Sequence, residues 1–112
     1  MSQIQEQTAE DLPLRNYDRQ SGEAIAAKLR ALSQRELRLI AAYEAEHERR
    51  EAVLARVAEL RTDEPWPGYD EAGSEAIAAH LDFANASRVL VYEREHKART
   101  AVIEAAARAL TA

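Results

Sequence analysis

The sequence contains no cysteine, so disulfides and thiolate metal sites are closed to it, and a reducing compartment suits it. Glycine is nearly as scarce, at three residues, too few to build the glycine-rich loops that cradle phosphates. No G-x-S-x-G elbow presents a nucleophilic serine. No stretch reaches the ~18 consecutive apolar residues of a membrane-spanning helix. The opening Met1-Ser2-Gln3-Ile4-Gln5-Glu6 lacks the basic flank and apolar core of a secretory leader. A strong basic excess is missing as well, the formal net charge being −5. A dedicated nucleic-acid domain usually carries the opposite sign. Together these absences lead to the expectation of a cytoplasmic, non-catalytic protein without metal or cofactor.

What the chain does contain is a repeat, the first thing to seek in a short sequence. Tyr43-Glu44-Ala45-Glu46-His47-Glu48-Arg49-Arg50 returns 49 residues later as Tyr92-Glu93-Arg94-Glu95-His96-Lys97-Ala98-Arg99, both reading Y-E-x-E-H-x-x-R. Upstream, Pro13-Leu14-Arg15-Asn16-Tyr17-Asp18 aligns with Pro65-Trp66-Pro67-Gly68-Tyr69-Asp70, and Glu23 to Leu29 with Glu75 to Leu81, at a spacing of 52. The second copy therefore lacks three residues between its first and second helices. Each copy is about 50 residues, a size at which a lone core is marginal. The two copies are expected to pack as one pseudo-symmetric, all-α bundle. Charge divides unevenly between them: residues 13–61 carry +2, residues 62–112 carry −4, and residues 1–12 carry −3.

In chain order, residues 1–11 are polar and aperiodic and read as a disordered arm. The first repeat occupies 12–61, with Tyr17 as an apolar plug with a polar tip. Ser21 is an N-cap for a helix over Gly22–Leu32, whose stripe is Ile25, Leu29 and Leu32. Ser33-Gln34-Arg35-Glu36 is a capping box that opens a second helix with Leu37, Ile40 and Ala41 inward. Beyond it the apolar rhythm is interrupted at Glu44, His47, Arg50 and Glu51 and resumes at Val53, Leu54, Val57 and Leu60. Either one helix runs from 33 to 61, or a bend near His47–Arg50 gives three helices per copy; the bend is preferred. Residues 62–68 form a Pro/Gly linker, with Trp66 expected to be partly buried where the copies meet. The second repeat, 69–112, follows the same plan: Ile77, Leu81 and Phe83 on its first helix, a joint at Asn85, and a helix through Val89-Leu90-Val91-Tyr92. A last helix carries Val102 and Ile103.

Three kinds of site are compatible with these residues. Glu44-x-x-His47 and Glu93-x-x-His96 put a carboxylate and an imidazole one turn apart, and with Glu23 and Glu75 they parallel the ligand set of a ferritin-like di-iron centre. Against this, Glu23 and Glu75 fall in the first turns of short helices, and i,i+3 charged pairs are common on helix surfaces. Arg35, Arg38, Arg49 and Arg50 form a basic face on the first repeat that allows weak, salt-dependent phosphate contacts, although a solvated face laced with ion pairs explains them without any partner and is the preferred reading. The third is a docking site for another protein or a second copy of the chain. Its residues are Tyr43, Glu44, His47 and Arg50 with Tyr92, Glu93, His96 and Arg99. The same residues allow a structural role, with histidine and arginine tying a helix end to Asp18 or Asp70.

The ordered set P-x-x-x-Y-D, a short helix, L-S-x-x-E-L, Y-E-x-x-H-x-x-R and V-L resembles a small helical domain of actinobacterial proteins. That domain stands at the C-terminal ends of uncharacterised and lipid-droplet-associated-type proteins. The resemblance covers residues 12–61 and 65–110. Many members place a proline after the arginine, where Glu51 and Thr100 stand here, and the second copy shows no clear counterpart of Leu32-Ser33. The resemblance implies an accessory or interaction role. The helix–turn–helix–helix plan is also similar to the Rho termination factor N-terminal and SAP-type nucleic-acid modules, a likeness of fold that carries no function. The expectation is thus a protein-interaction module of two tandem helical repeats, with nucleic-acid binding as the alternative and a di-iron site third.

Overall fold

The computed structural model describes residues 11–111, and every regular element among them is helical. The arm expected over residues 1–11 lies, except for Asp11, outside the described residues. The described residues form six α-helices: α1 (Gly22–Ala26), α2 (Gln34–Glu46), α3 (Glu51–Leu60), α4 (Ser74–His80), α5 (Phe83–Glu95) and α6 (Thr100–Thr111). None among the described residues is long and apolar enough to cross a membrane. The chain divides into two compact units between Arg61 and Thr62. Each unit has a core of its own.

In the first unit the core is built from Leu12, Tyr17, Ile25, Leu29, Leu32, Leu37, Ile40, Tyr43, Val53, Val57 and Leu60. Ser21 caps α1 by accepting from the Ala24 amide at 3.1 Å. The helix expected over Gly22–Leu32 is two pieces, α1 and a 3-10 turn at Leu29–Ala31. The reason lies at the next joint. Ser33 holds extended backbone so that its hydroxyl can accept from the Glu36 amide at 3.0 Å, while the Glu36 carboxylate accepts from the Ser33 amide at 2.9 Å. Such a cap is worth about 1 kcal/mol. The tightened turn carries Leu29 and Leu32 into the core before the chain straightens into that cap.

The second unit packs Tyr69, Ile77, Ala86, Val89, Tyr92, Val102 and Ala106. Here α4 runs directly to Leu81 with no 3-10 turn, and the cap that follows pairs Leu81 with Leu32 rather than with Leu29, so the three residues missing from the repeat correspond to Leu29–Ala31. The joint lies at Asp82, not Asn85. Asp82 accepts from the Asn85 amide at 2.9 Å and Asn85 Oδ1 accepts from the Asp82 amide at 2.9 Å. Leu81-Asp82 is therefore the counterpart of Leu32-Ser33, hidden in the sequence because aspartate and asparagine make the box in place of serine and glutamate. Phe83 is not a core residue: as the first residue of α5 it points outward and is 72% exposed. Trp66 is half-buried, its ring 5.1 Å from that of Tyr69 and 5.7 Å from that of His80.

Each unit enters through a left-handed residue directly before a Tyr-Asp pair: Asn16 at φ 54° and Gly68 at φ 88°. Asparagine and glycine are the residues that tolerate this conformation most readily. The following 3-10 turns, Tyr17–Arg19 and Tyr69–Glu71, aim their tyrosines into the two cores, where both are fully buried.

Candidate functional site

The bend near His47 is real, and Glu44 makes it. The carboxylate of Glu44 is fully buried and is met by four donors. The Tyr17 hydroxyl donates to Oε1. Arg50 grips both oxygens, Nε to Oε2 at 2.9 Å and Nη2 to Oε1 at 3.3 Å, and its own amide donates to Oε2 at 2.9 Å. The third guanidinium nitrogen, Nη1, donates to the Gln20 carbonyl at 2.8 Å. Glu44 lies in the last turn of α2, while Arg50 is the N-cap residue of α3. One carboxylate therefore ends one helix and satisfies the first free amide of the next, where the α3 dipole favours negative charge.

The second unit repeats this arrangement contact for contact. Tyr69 donates to Glu93 Oε1. Arg99 reaches Glu93 through Nε at 2.8 Å, Nη2 at 3.1 Å and its amide at 2.9 Å, and donates from Nη1 to the Ala72 carbonyl at 2.8 Å. The second tyrosine of each motif holds the aspartate of the lead-in: Tyr43 donates to Asp18 at 2.9 Å and Tyr92 to Asp70 at 2.8 Å. The arginines also lie over the buried rings, 5.4 Å for Arg50 on Tyr17 and 5.7 Å for Arg99 on Tyr69. His47 and His96 stack on Tyr43 and Tyr92 with centroids 3.9 and 4.0 Å apart. In each, Nδ1 stands 2.8 Å from the carbonyl four residues back, so that nitrogen carries the proton and donates.

The electrostatics follow from this geometry. Burial pushes the Glu44 and Glu93 carboxyls up, but the hydrogen bonds from arginine, tyrosine and the arginine amide outweigh it and leave both below the ordinary glutamate value. Burial, then the bond to a carboxylate, pushes the Tyr17 and Tyr69 hydroxyls well above the ordinary tyrosine value. Burial and the Asp18 bond raise Tyr43 too. The carboxylate bond raises Arg50 and Arg99. Each cluster is thus built on an ionised Glu–Arg pair under a neutral tyrosine.

All eight residues expected to form a site are drawn into these two clusters, which also recruit Tyr17, Asp18, Tyr69 and Asp70. The signal for the recruits was the P-x-x-x-Y-D half of the repeat. Most of the eight face inward. Tyr43, Glu44, Tyr92, Glu93 and His96 are buried, His47 is exposed, and Arg50 and Arg99 show only the backs of their side chains, 22% and 23% exposed. The ferritin-like arrangement is overturned by the same contacts. A carboxylate offers about four acceptor positions, and Glu44 and Glu93 have theirs taken by four donors of their own chain. Glu23 and Glu75 are exposed in the first turns of α1 and α4. Among the described residues no group of three or more histidines and acids could hold a metal ion. The basic face is smaller than expected: Arg35 and Arg38 are exposed, but Arg49 donates to the Ala45 carbonyl at 3.0 Å and Arg50 is committed to Glu44.

The bend is bought with backbone strain that no glycine relieves. Arg49 and Ala98 adopt φ 52° and 55°, and their amides donate to the Glu44 and Glu93 carbonyls at 2.8 and 2.7 Å. The left-handed conformation costs a non-glycine residue ~1–2 kcal/mol, against ~0.5–1 kcal/mol of extra chain entropy lost by glycine. Ala98→Gly is therefore expected to stabilise the second unit by ~0.5–1 kcal/mol, read as a higher thermal midpoint; an unchanged or lower midpoint refutes the strain.

Sequence reasoning missed one feature of the surface. Phe83 and Val91, the large apolar side chains most exposed among the described residues, both lie on α5. Val91 lines a shallow groove with Thr62, Asp63, Ala84, Ser87, Arg88, Tyr92 and Glu95. Comparing the copies at the 49-residue spacing would have flagged it, because Gln34 and Ala42 stand in the corresponding places. No protein-family model matches the sequence, and searches of curated proteins and of solved structures return no match.

Proposed function

We propose that this chain is a non-catalytic helical interaction module that docks a polypeptide partner on the outer face of α5. The observation that carries the reading is the pairing of Phe83, 72% exposed, with Val91, 55% exposed, on one helix whose opposite side is locked in place. Exposed apolar side chains beside a groove are the usual mark of a docking surface. The Tyr–Glu–His–Arg residues serve that role indirectly, by fixing the helix that presents the face. The duplication fits the same reading: two units share internal bonds while their outer positions have diverged. The likeness to the small actinobacterial helical domain points to an accessory role as well.

The test is capture of polypeptides by the immobilised chain, with Phe83→Ser plus Val91→Glu as the disabled variant. Binding that disappears in the variant while the helical spectrum and melting curve persist supports the module. Equal capture by both forms removes α5 as the docking face. Exposed Arg35 and Arg38 on α2 favour a second reading, contact with nucleic acid. That reading requires binding that weakens steeply as salt rises and that is indifferent to Val91→Glu.

A further inference from the structure

We propose that the partner on α5 is the α5 of a second copy of this chain, laid antiparallel about a two-fold axis beside Val91. This rests on the docking reading above and names its occupant. Ala84, Ser87, Arg88, Val91 and Glu95 recur at helical spacing and share one stripe of α5, and all five are exposed. Val91 lies at its centre, and the small Ala84 and Ser87 let a second helix axis approach closely.

The charges on that stripe select the orientation. Arg88 stands three residues before Val91 and Glu95 four residues after it, on the same edge of the stripe. In an antiparallel pair centred beside Val91, Arg88 of one copy faces Glu95 of the other, and the two-fold makes the contact twice. A parallel pair would set Arg88 against Arg88 and Glu95 against Glu95. Arg88 is already steadied by donating from Nη2 to the Glu64 carbonyl at 3.0 Å, and a guanidinium has five donors to offer. Phe83 borders the stripe and widens the apolar contact. A self-complementary patch of this kind gives a closed dimer, the commonest symmetric assembly.

The first unit cannot make the same pair. At the 49-residue spacing Arg35 and Arg38 stand where Ala84 and Ser87 do, and Ala42 stands at Val91. Bulky like charges there replace the small residues that close approach requires. The pairing is thus a property of the second unit.

The experiment is sedimentation of the purified full chain over a wide concentration range. The expected result is a concentration-dependent rise from monomer to dimer mass. Val91→Glu should give monomer throughout, with a melting curve that matches the parent's at concentrations where the parent is monomeric. Arg88→Glu should weaken the dimer at least about tenfold, because like charges brought together at an interface cost several kcal/mol. Arg88→Glu combined with Glu95→Arg should restore it. Monomer mass at every concentration overturns the pairing, as does a dimer indifferent to Val91→Glu or a double exchange no tighter than Arg88→Glu alone. The two ideas fail separately. A monomer that takes up a different polypeptide through Val91 removes the pairing and keeps the docking face, whereas capture insensitive to Val91 removes the face itself.

Discussion

Replacing Arg99 with alanine should cost the second unit ~3–5 kcal/mol, the range for stripping the partner from a buried charge. The variant leaves Glu93 fully buried with two of its four donors gone and deprives the Ala72 carbonyl of its bond. A domain of this size holds only ~5 kcal/mol or little more in reserve, so most of the unit's stability should be lost and its urea midpoint should fall close to zero. The measurement is urea denaturation followed by fluorescence of Trp66, the only tryptophan, whose ring packs on Tyr69 beside the cluster. Arg50→Ala should do the same to the first unit, where the loss appears in the helical circular dichroism. A loss under 1 kcal/mol for Arg99→Ala, in the range of an exposed ion pair, would contradict the account of the cluster as a buried clamp. Arg99→Lys should recover little, because an ammonium cannot grip both carboxylate oxygens as the guanidinium fork does.

Stability should also fall away at both ends of the pH scale, for opposite reasons. Glu44 and Glu93 ionise more readily in the folded chain than in the unfolded one. Their contribution is present above the unfolded value of 4.5. As pH drops below it, the unfolded chain takes up protons that the folded chain refuses, and the contribution is lost as pH falls through the folded value. Tyr17 and Tyr69 behave in the contrary sense. Their folded values lie above the ordinary 10.0, so their contribution is complete below pH 10. It declines as pH rises past that point toward the folded values, since the unfolded chain releases protons that the folded one retains. Urea midpoints measured across pH should therefore show a plateau with an acid and an alkaline shoulder. Tyr17→Phe and Tyr69→Phe should shrink the alkaline shoulder, the raised Tyr43 hydroxyl leaving a smaller remainder. Midpoints that stay level down to pH 3 would show that the carboxylates are not held as described.

Much of this architecture was legible in the sequence, and what was legible shares a physical cause. Leu37, Ile40, Val53, Val57 and Leu60 announced their helices because apolar periodicity reports burial directly. Ser21 and Ser33 announced helix starts because a cap is a local contact between neighbours. The bend was harder to place, as no proline or glycine marks it. It depends on an acid at 44 meeting an arginine at 50 and a tyrosine at 17, a long-range arrangement that local patterns do not encode. The same limitation leaves the Tyr, Glu, His and Arg of the motif open to both a docking and a structural role: they are the residues of binding sites, and only their hydrogen-bond partners reveal which way they face. Phe83 reads as part of the stripe on the second repeat's first helix because it is large and apolar, whereas it opens α5 beyond the Asp82 cap and is turned to solvent.

The joint before the long central helix of each unit is where this architecture tolerates a change of length. One unit fills it with the turn Leu29–Ala31 and the other omits that turn, yet both caps and both clamps keep the same bonds. Length added or removed there is absorbed before the cap resets the chain. For protein engineering this makes the joint, rather than the bend after α2 or α5, the natural splice point: a foreign peptide grafted beside Leu29–Ala31 or between His80 and Leu81 would be displayed from a frame that already exists in a longer and a shorter edition.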